Sequence, residues 1–193
     1  MTPSRRPDVH PVTPDRWEDL VRLFGPHGAG GCWCMWWRLR RSEFGRNRGQ
    51  DNRRALRRLV GRGQPPGLIG YVDGEPAAWI SLGPREDFQG LEHSRRLRRV
   101  DDTPVWSIVC FFVARPYRRQ GLMAAMVEAA ARYARARGAR HLEAYPIEPR
   151  GRTLKGYSGY TGVASVFRRL RFRKVAVREG FPILRRQLGP SRR

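Results

Sequence analysis

Residues 105–131 read Val-Trp-Ser-Ile-Val-Cys-Phe-Phe-Val-Ala-Arg-Pro-Tyr-Arg-Arg-Gln-Gly-Leu-Met-Ala-Ala-Met-Val-Glu-Ala-Ala-Ala. The first part, Val105 to Val113, is apolar, β-branched and aromatic, with the length and composition of a buried strand. The second part, Leu122 to Arg137, is rich in Ala, Met and Arg and predicts a helix. A short basic loop, Arg115 to Gln120, joins them and closes at Gly121, where the backbone must bend tightly or approach a ligand. The first amides of a helix lack partners inside it, and the helix dipole makes that end partly positive. Arg118 and Arg119 add two full charges. A strand, a basic Gly-containing turn and a helix N-terminus together predict an anion site, most naturally for a phosphate or diphosphate. Gly-x-x-x-x-Gly-Lys-Ser/Thr and Gly-x-Gly-x-x-Gly are both absent here, so the ligand is neither a P-loop nucleotide nor a Rossmann dinucleotide.

Outward from this stretch, the N-terminal side predicts a short strand at Asp8–Val12. A helix then starts at Thr13-Pro14-Asp15, with Thr13 as cap and Trp17, Leu20, Val21 and Phe24 on one face. Gly25 to Gly31 breaks it. Cys32-Trp33-Cys34-Met35-Trp36-Trp37 follows, readable as an aromatic helix packed on a sheet or as the wall of a substrate pocket. Cys32 and Cys34, with His27, have no second Cys/His element to complete a zinc site, so no metal is expected. Arg48–Arg62 predicts a second helix with Ala55, Leu56, Leu59 and Val60 inward. Leu68–Val72, the turn Asp73-Gly74 and Ala77–Leu82 predict a hairpin. Residues 83–103 form a connection long enough to hold a helical turn or a flap. Beyond the Leu122–Arg137 helix, Gly138 reads as its C-terminal stop. Then come a strand over Arg140–Ile147, a loop over 150–160, a helix over Gly162–Leu170, a strand over Phe172–Glu179 and a last strand over Ile183–Gln187.

The 193 residues suit a single domain over 1–193, with a core over about 8–188 and a basic tail at 189–193. No apolar run has the length of a membrane span, and Met1–His10 lacks the apolar core of a signal peptide. Three cysteines make no even disulfide framework. These features predict a cytoplasmic protein. The 39 Lys+Arg against 17 Asp+Glu give a net charge of +22. Such a charge suits nucleic acid or another polyanion. The arginines are spread over almost every element and not gathered in one block, which favours a compositional preference for Arg, together with a site for a polyanionic cofactor.

At Arg118-x-x-Gly121-x-Met123, with Val113 and Tyr117 at the usual distance before it, the chain resembles the GNAT superfamily of N-acetyltransferases. The predicted order β-α-α-β-β-β-α-β-α-β is similar to that family's order, as is Thr161-Gly-Val-Ala164-Ser-Val-Phe167-Arg-Arg-Leu-Arg171-Phe172 near the end. The resemblance implies an α/β (α+β) fold with a central, mixed but mostly antiparallel sheet of six to seven strands and about four flanking helices. It implies acetyl-CoA as cofactor, held by Arg118, Arg119, Gln120, Gly121, Leu122, Met123 and Ala124, with Phe112 and Val113 flanking the pantetheine arm. It implies transfer of acetyl to a primary amine of a small molecule or protein by direct attack in a ternary complex, and it is compatible with a homodimer. RNA-associated acylation and a non-catalytic CoA-binding domain are the other readings. Two positions depart from the pattern: Met123 stands for a small residue, and Arg119 for a frequent Gly.

Acetyl transfer needs a donor to the thioester oxygen, a deprotonated amine and a proton for the leaving thiolate. The family's acidic Tyr is replaced here by Phe167, and Ser107 stands where some members carry a basic Glu. Glu143 and Tyr145, on one face of the predicted strand after the long helix, are then the candidate base and acid. Both also have an ordinary reading, Glu143 as an ion-pair partner and Tyr145 as a packed ring. Cys110 inside its apolar run is an unreactive thiol by position.

Overall fold

A computed structural model of the chain describes residues 6–47, 49–149, 151 and 159–189. The expected loop over 150–160 and tail over 189–193 lie largely outside the described residues. The strands are β1 (Asp8–Pro11), β2 (Gly67–Val72), β3 (Glu75–Pro84), β4 (Trp106–Val113), β5 (His141–Ala144), β6 (Arg173–Arg178) and β7 (Phe181–Gln187). They form one seven-stranded sheet in the order β1-β2-β3-β4-β5-β7-β6. Only β4 and β5 run parallel, and every other neighbouring pair is antiparallel. The helices are α1 (Trp17–Phe24), α2 (Arg41–Arg46), α3 (Gln50–Gly61), α4 (Gln89–Glu92), α5 (Leu122–Ala136) and α6 (Ala164–Arg169).

Alternation along the strands separates two cores. On one face Leu68, Val72, Ala78 and Ile80 pack with Met126, Val127 and Ala130 of α5 and Phe167 of α6. On the other, Ile69 and Trp79 pack with Trp17, Leu20 and Phe24 of α1 and Leu56 and Val60 of α3. The β2–β3 hairpin turns at Asp73 (φ 52°) and Gly74 (φ 80°). Positive φ at both central residues is the turn whose twist matches that of the strands. Gly138, at φ 83°, ends α5, with the amide of Ala139 returning to the carbonyl of Ala134.

Several local expectations change. Thr13 makes no capping bond; its hydroxyl accepts from Arg16 Nη1 at 3.0 Å, and a 3₁₀ turn over Pro14–Arg16 precedes α1. The helix expected from Arg48 begins at Gln50, and a short α2 precedes it. Residues 32–37 form consecutive turns and no helix. Ala29, Trp33 and Cys34 all have positive φ, as do Gly28, Gly30 and Gly31, and a right-handed helix cannot run through such residues. The strand expected over 140–147 is regular only for His141–Ala144. The 83–103 connection holds a 3₁₀ turn at Arg85–Asp87 and α4, as its length requires.

The feature that positions the site is the parting of β4 from β5. They pair only over Trp106–Ile108 and Leu142–Ala144. Just past that point the β3–β4 register slips, from Leu82↔Ile108 to Ser81↔Cys110, so Val109 is an extra residue in β4. A bulge of this kind bends its strand and re-aims its side chains. It falls at the point where the pairing of β4 with β5 stops.

Candidate active site

The turn after β4 folds as an open cradle. Ala114–Tyr117 makes a 3₁₀ turn, Arg119 sits at φ 64°, and Gly121 at φ 80° precedes the first residue of α5. Two side chains staple the loop from outside: Arg118 Nε donates to the Val113 carbonyl at 2.9 Å, and Gln120 Nε2 donates to the Pro116 carbonyl at 2.9 Å. Arg118, Arg119, Gln120 and Gly121 are all exposed. Among the described residues, the backbone amides of residues 119–123 meet no acceptor; before them the amides of Tyr117 and Arg118 bond to the carbonyls of Ala114 and Arg115, and after them those of Ala124 and Ala125 bond to the Gly121 carbonyl. Consecutive outward amides at the mouth of a fifteen-residue helix, with Arg118 and Arg119 beside them, are what a diphosphate needs. The group that fits is thus a phosphate-bearing cofactor, and the fit rests on backbone more than on side chains.

Leu122 and Met123 turn inward. Leu122 is buried in the α5 core, and Met123 is half-buried against the same cluster. A Cβ on Gly162 would lie 2.3 Å from Met123 Cε, so the Met123 side chain caps Gly162 beside Phe111 and Phe167. Phe112 faces the opposite core, 5.7 Å edge-on to Phe24, while Val113 stays with the α5 side. The gap between β4 and the chain leaving β5 is bridged by residues 160–164. The Phe111 amide donates to the Tyr160 carbonyl at 2.6 Å, the Ile147 amide to Gly162 at 2.9 Å, and the Ala164 amide to Ile147 at 3.0 Å.

On the α1 side of β4 lies a cavity of about 520 Å³. Its floor is Val109 and Cys110 at the bulge, and its walls include Trp36, Trp37, Phe44 and Tyr160. Of the 32–37 segment, Trp33, Cys34 and Met35 are thus core, while Trp36 and Trp37 are pocket wall. The segment is anchored by Arg38, which is buried and donates to the carbonyls of Pro66 (3.0 Å) and Leu82 (3.4 Å), and by the Gly90 amide on the Trp37 carbonyl (2.8 Å). Gly90 has no room for a side chain, because its Cβ would meet the Trp37 carbonyl at 2.9 Å. Cys34 Sγ accepts from Trp79 Nε1 at 2.7 Å and touches Cys110 Sγ at 3.3 Å. Burial holds the Cys34 thiol well above its ordinary pKa, and contact with Cys34, then burial, raises that of Cys32. Among the described residues no group of three or more His, Cys, Asp or Glu is placed to hold a metal ion.

Glu143 and Tyr145 lie inside the protein, at 1% and 3% exposure. Glu143 Oε1 accepts from Tyr145 Oη (2.8 Å) and Arg85 Nη1 (3.3 Å), and its Oε2 from Arg185 Nε (3.0 Å) and Nη2 (2.8 Å). Tyr145 Oη also accepts from Arg85 Nη1 at 2.6 Å and lies 2.8 Å from Ser107 Oγ. Burial first, and the Glu143 charge second, push the Tyr145 phenol far above its usual pKa. Neither residue lines the 520 Å³ cavity; Tyr145 borders a second one, of about 390 Å³, that shares Trp36, Trp37 and Thr161 with it. Arg85, Arg185 and Arg38 escape a sequence reading because one Arg among so many carries no mark of burial.

A strand that parts from its parallel neighbour, an amide-lined turn at its end and a cavity on its flank make a site where a phosphate-bearing cofactor and a second molecule can meet. The family model for the acetyltransferase (GNAT) family matches residues 33–155, and the chain belongs to that family. Acetyl-CoA is the family's acetyl donor. Solved structures of similar fold include the PaiA N-acetyltransferase from Thermoplasma acidophilum in complex with coenzyme A, at 11% identity and TM-score 0.55, covering 94% of this chain and 98% of that one. A GNAT-family acetyltransferase from Listeria monocytogenes is similar at 13% identity and TM-score 0.59, covering 94% and 95%. The GNAT domain of S. lividans PAT is similar at 17% identity and TM-score 0.51, covering 94% and 90%. Comparison with curated proteins returns no match.

Proposed function

We propose that the protein transfers acetyl from acetyl-CoA to an amine by direct attack within a ternary complex, as a single cytoplasmic domain. The observation that carries this is the run of backbone amides at residues 119–123, at the exposed turn that opens α5, which have no acceptor among the described residues. Those amides, with Arg118, Arg119 and Gln120 around them, bind the diphosphate. Leu122, Met123 and Ala124 form the first turn beneath it, and Phe112 and Val113 border the arm on the β4 side. The cofactor supplies the activated acetyl group. The 520 Å³ cavity receives the acceptor beside the β4 bulge. Glu143 and Tyr145 take a positioning role in this proposal. Their carboxylate and phenol are committed to Arg85, Arg185 and Ser107, and together they hold β5 against β4 where the two strands part.

Calorimetric titration with acetyl-CoA tests the reading. Saturable binding is expected, and absence of binding at millimolar cofactor overturns it. Gly121→Val places a branched side chain at φ 80° against the amides and is expected to weaken binding by about tenfold or more, or about 1.4 kcal/mol. A melting curve on the same sample shows that the variant is folded.

The net charge of +22 favours a second reading, in which the acceptor amine is carried by RNA or a nucleoprotein. A steep fall of RNA affinity with salt, together with preference for one RNA, would support it; weak binding indifferent to RNA type would reduce it to bulk charge.

A further inference from the structure

The described lining of the acceptor cavity is uncharged in a strongly cationic protein. Among the described residues no Asp, Glu, His, Lys or Arg lines it, and the titratable ones that do are three cysteines and Tyr160. Residues 1–5, 48, 150, 152–158 and 190–193 contain no Asp, Glu or His side chain. His27 opens on a separate hollow beside Trp33 and Gly49. His93 and Arg41 lie on the far cavity, across the Trp36–Trp37 wall. The Tyr160 hydroxyl donates to the Ala29 carbonyl at 3.1 Å, and the Cys34 thiol is held protonated by burial.

An alkyl amine fits this cavity badly. With a pKa near ~10.4 it arrives as an ammonium ion, and burying that ion without a partner is costly. The Trp36 wall offers it little cation–π attraction, because the Arg41 guanidinium already stacks on that ring, 3.7 Å from its centroid. A second cation there meets like charge. The volume of about 520 Å³ and the rings of Trp36, Trp37 and Phe44 instead suit a flat apolar body presenting a neutral nitrogen.

Resting on the acetyltransferase reading above, we infer that the acceptor is an aromatic amine whose nitrogen is already unprotonated at neutral pH. Its lone pair attacks the thioester carbonyl, the N–C bond forms and the C–S bond breaks. Once acylating, the aryl nitrogen is acidic enough to lose its proton to water, and the thiolate leaves and takes up a proton from water. The products are an anilide and free CoA thiol, with no oxidant and no protein base required. This accounts for a cavity whose described lining holds no carboxylate or imidazole, and it leaves Glu143 to its structural partners.

The test uses the full chain with acetyl-CoA and three acceptors: 4-methoxyaniline, spermidine and a lysine-containing peptide, with product followed by chromatography. The expected result is a kcat/KM for 4-methoxyaniline at least about tenfold above the other two at pH 7. Its rate is expected to be flat from pH 6 to 8, whereas an alkyl amine deprotonated by solvent gains about tenfold per pH unit over that range. Titrating 4-methoxyaniline alone should quench tryptophan fluorescence, and Trp37→Leu should remove much of that quench. If acetyl-CoA binds but spermidine or the peptide is the better acceptor, the inference falls and the transferase stands. If acetyl-CoA binds and the arylamine neither quenches nor turns over, it falls likewise. If acetyl-CoA does not bind, the transferase reading fails first and takes this one with it.

Discussion

Glu143→Gln separates a structural carboxylate from a catalytic one. In the native protein Glu143 is 1% exposed and accepts from Tyr145, Arg85 and Arg185. The substitution removes the charge and turns an amide NH₂ toward one of these donors. Breaking a buried ion pair from one side costs about 3–5 kcal/mol, because the remaining charge is left without its counterion. Arg85 keeps Glu92 at 2.7 Å and the Leu97 carbonyl at 2.6 Å, and Arg185 keeps Asp101 at 2.9 Å. With Glu92 and Asp101 both at the surface, those contacts recover part of the loss, which places the expected cost near the lower end, about 3 kcal/mol. For a chain of this size that corresponds to a fall in Tm of roughly 6–12 °C. Urea unfolding gives the free energy, and calorimetry gives acetyl-CoA affinity on the same sample. We expect a large loss of stability with affinity changed by less than about twofold, and a kcat, measured well below the melting point, within about tenfold of the parent. A loss under about 1 kcal/mol with kcat down by the 10²–10⁴ expected for removal of a general base would refute the reasoning.

Two further outcomes test the cradle and the gap. Arg119 holds φ 64° where glycine is the unstrained residue, so Arg119→Gly should be more stable than Arg119→Ala by about 1 kcal/mol in urea unfolding; equal stabilities would show that the turn does not need the left-handed conformation. The Phe111 amide is bonded to the Tyr160 carbonyl across the gap where the family resemblance places the pantetheine arm. Saturating acetyl-CoA should therefore speed hydrogen exchange at the Phe111 amide while the amides of 119–123 slow, and an unchanged exchange rate at Phe111 would mean that the cofactor leaves that bridge intact.

The sheet was largely legible because its strands advertise themselves. Val105–Val113 and Leu68–Val72 are apolar runs bounded by turn residues, and Asp73-Gly74 specifies its own turn. The basic turn was legible for the same reason: Gly121 at a strand-to-helix junction has few structural alternatives. What local pattern could not show is conformation set by tertiary contact. Trp33 to Trp37 has side chains that suit a helix, yet positive φ at Trp33 and Cys34 follows from Gly28–Gly31 and from anchors far away in sequence, Gly90 and the Pro66 and Leu82 carbonyls that hold Arg38. Glu143 and Tyr145 were legible as a pair on one strand, and their partners were not, because Arg85 and Arg185 lie 58 and 42 positions away.

That distribution of partners bears on how the site is built. The cradle depends on backbone: its amides are set by two left-handed residues, Arg119 and Gly121, and by two side-chain staples, Arg118 and Gln120. The cavity depends on side chains anchored at a distance, through Arg38 and Gly90. A change of acceptor can therefore be made in Trp36, Trp37 or Phe44 without disturbing the diphosphate amides. A change at Gly121 acts on the cofactor and leaves the cavity intact. The buried Arg85–Glu143–Arg185 group lies between them on β5 and its neighbours, fixing where β4 and β5 part. Destabilising it should lower the stability of the sheet with affinity and turnover near the parent's, whereas removing a proton-transfer group would slow turnover with stability preserved.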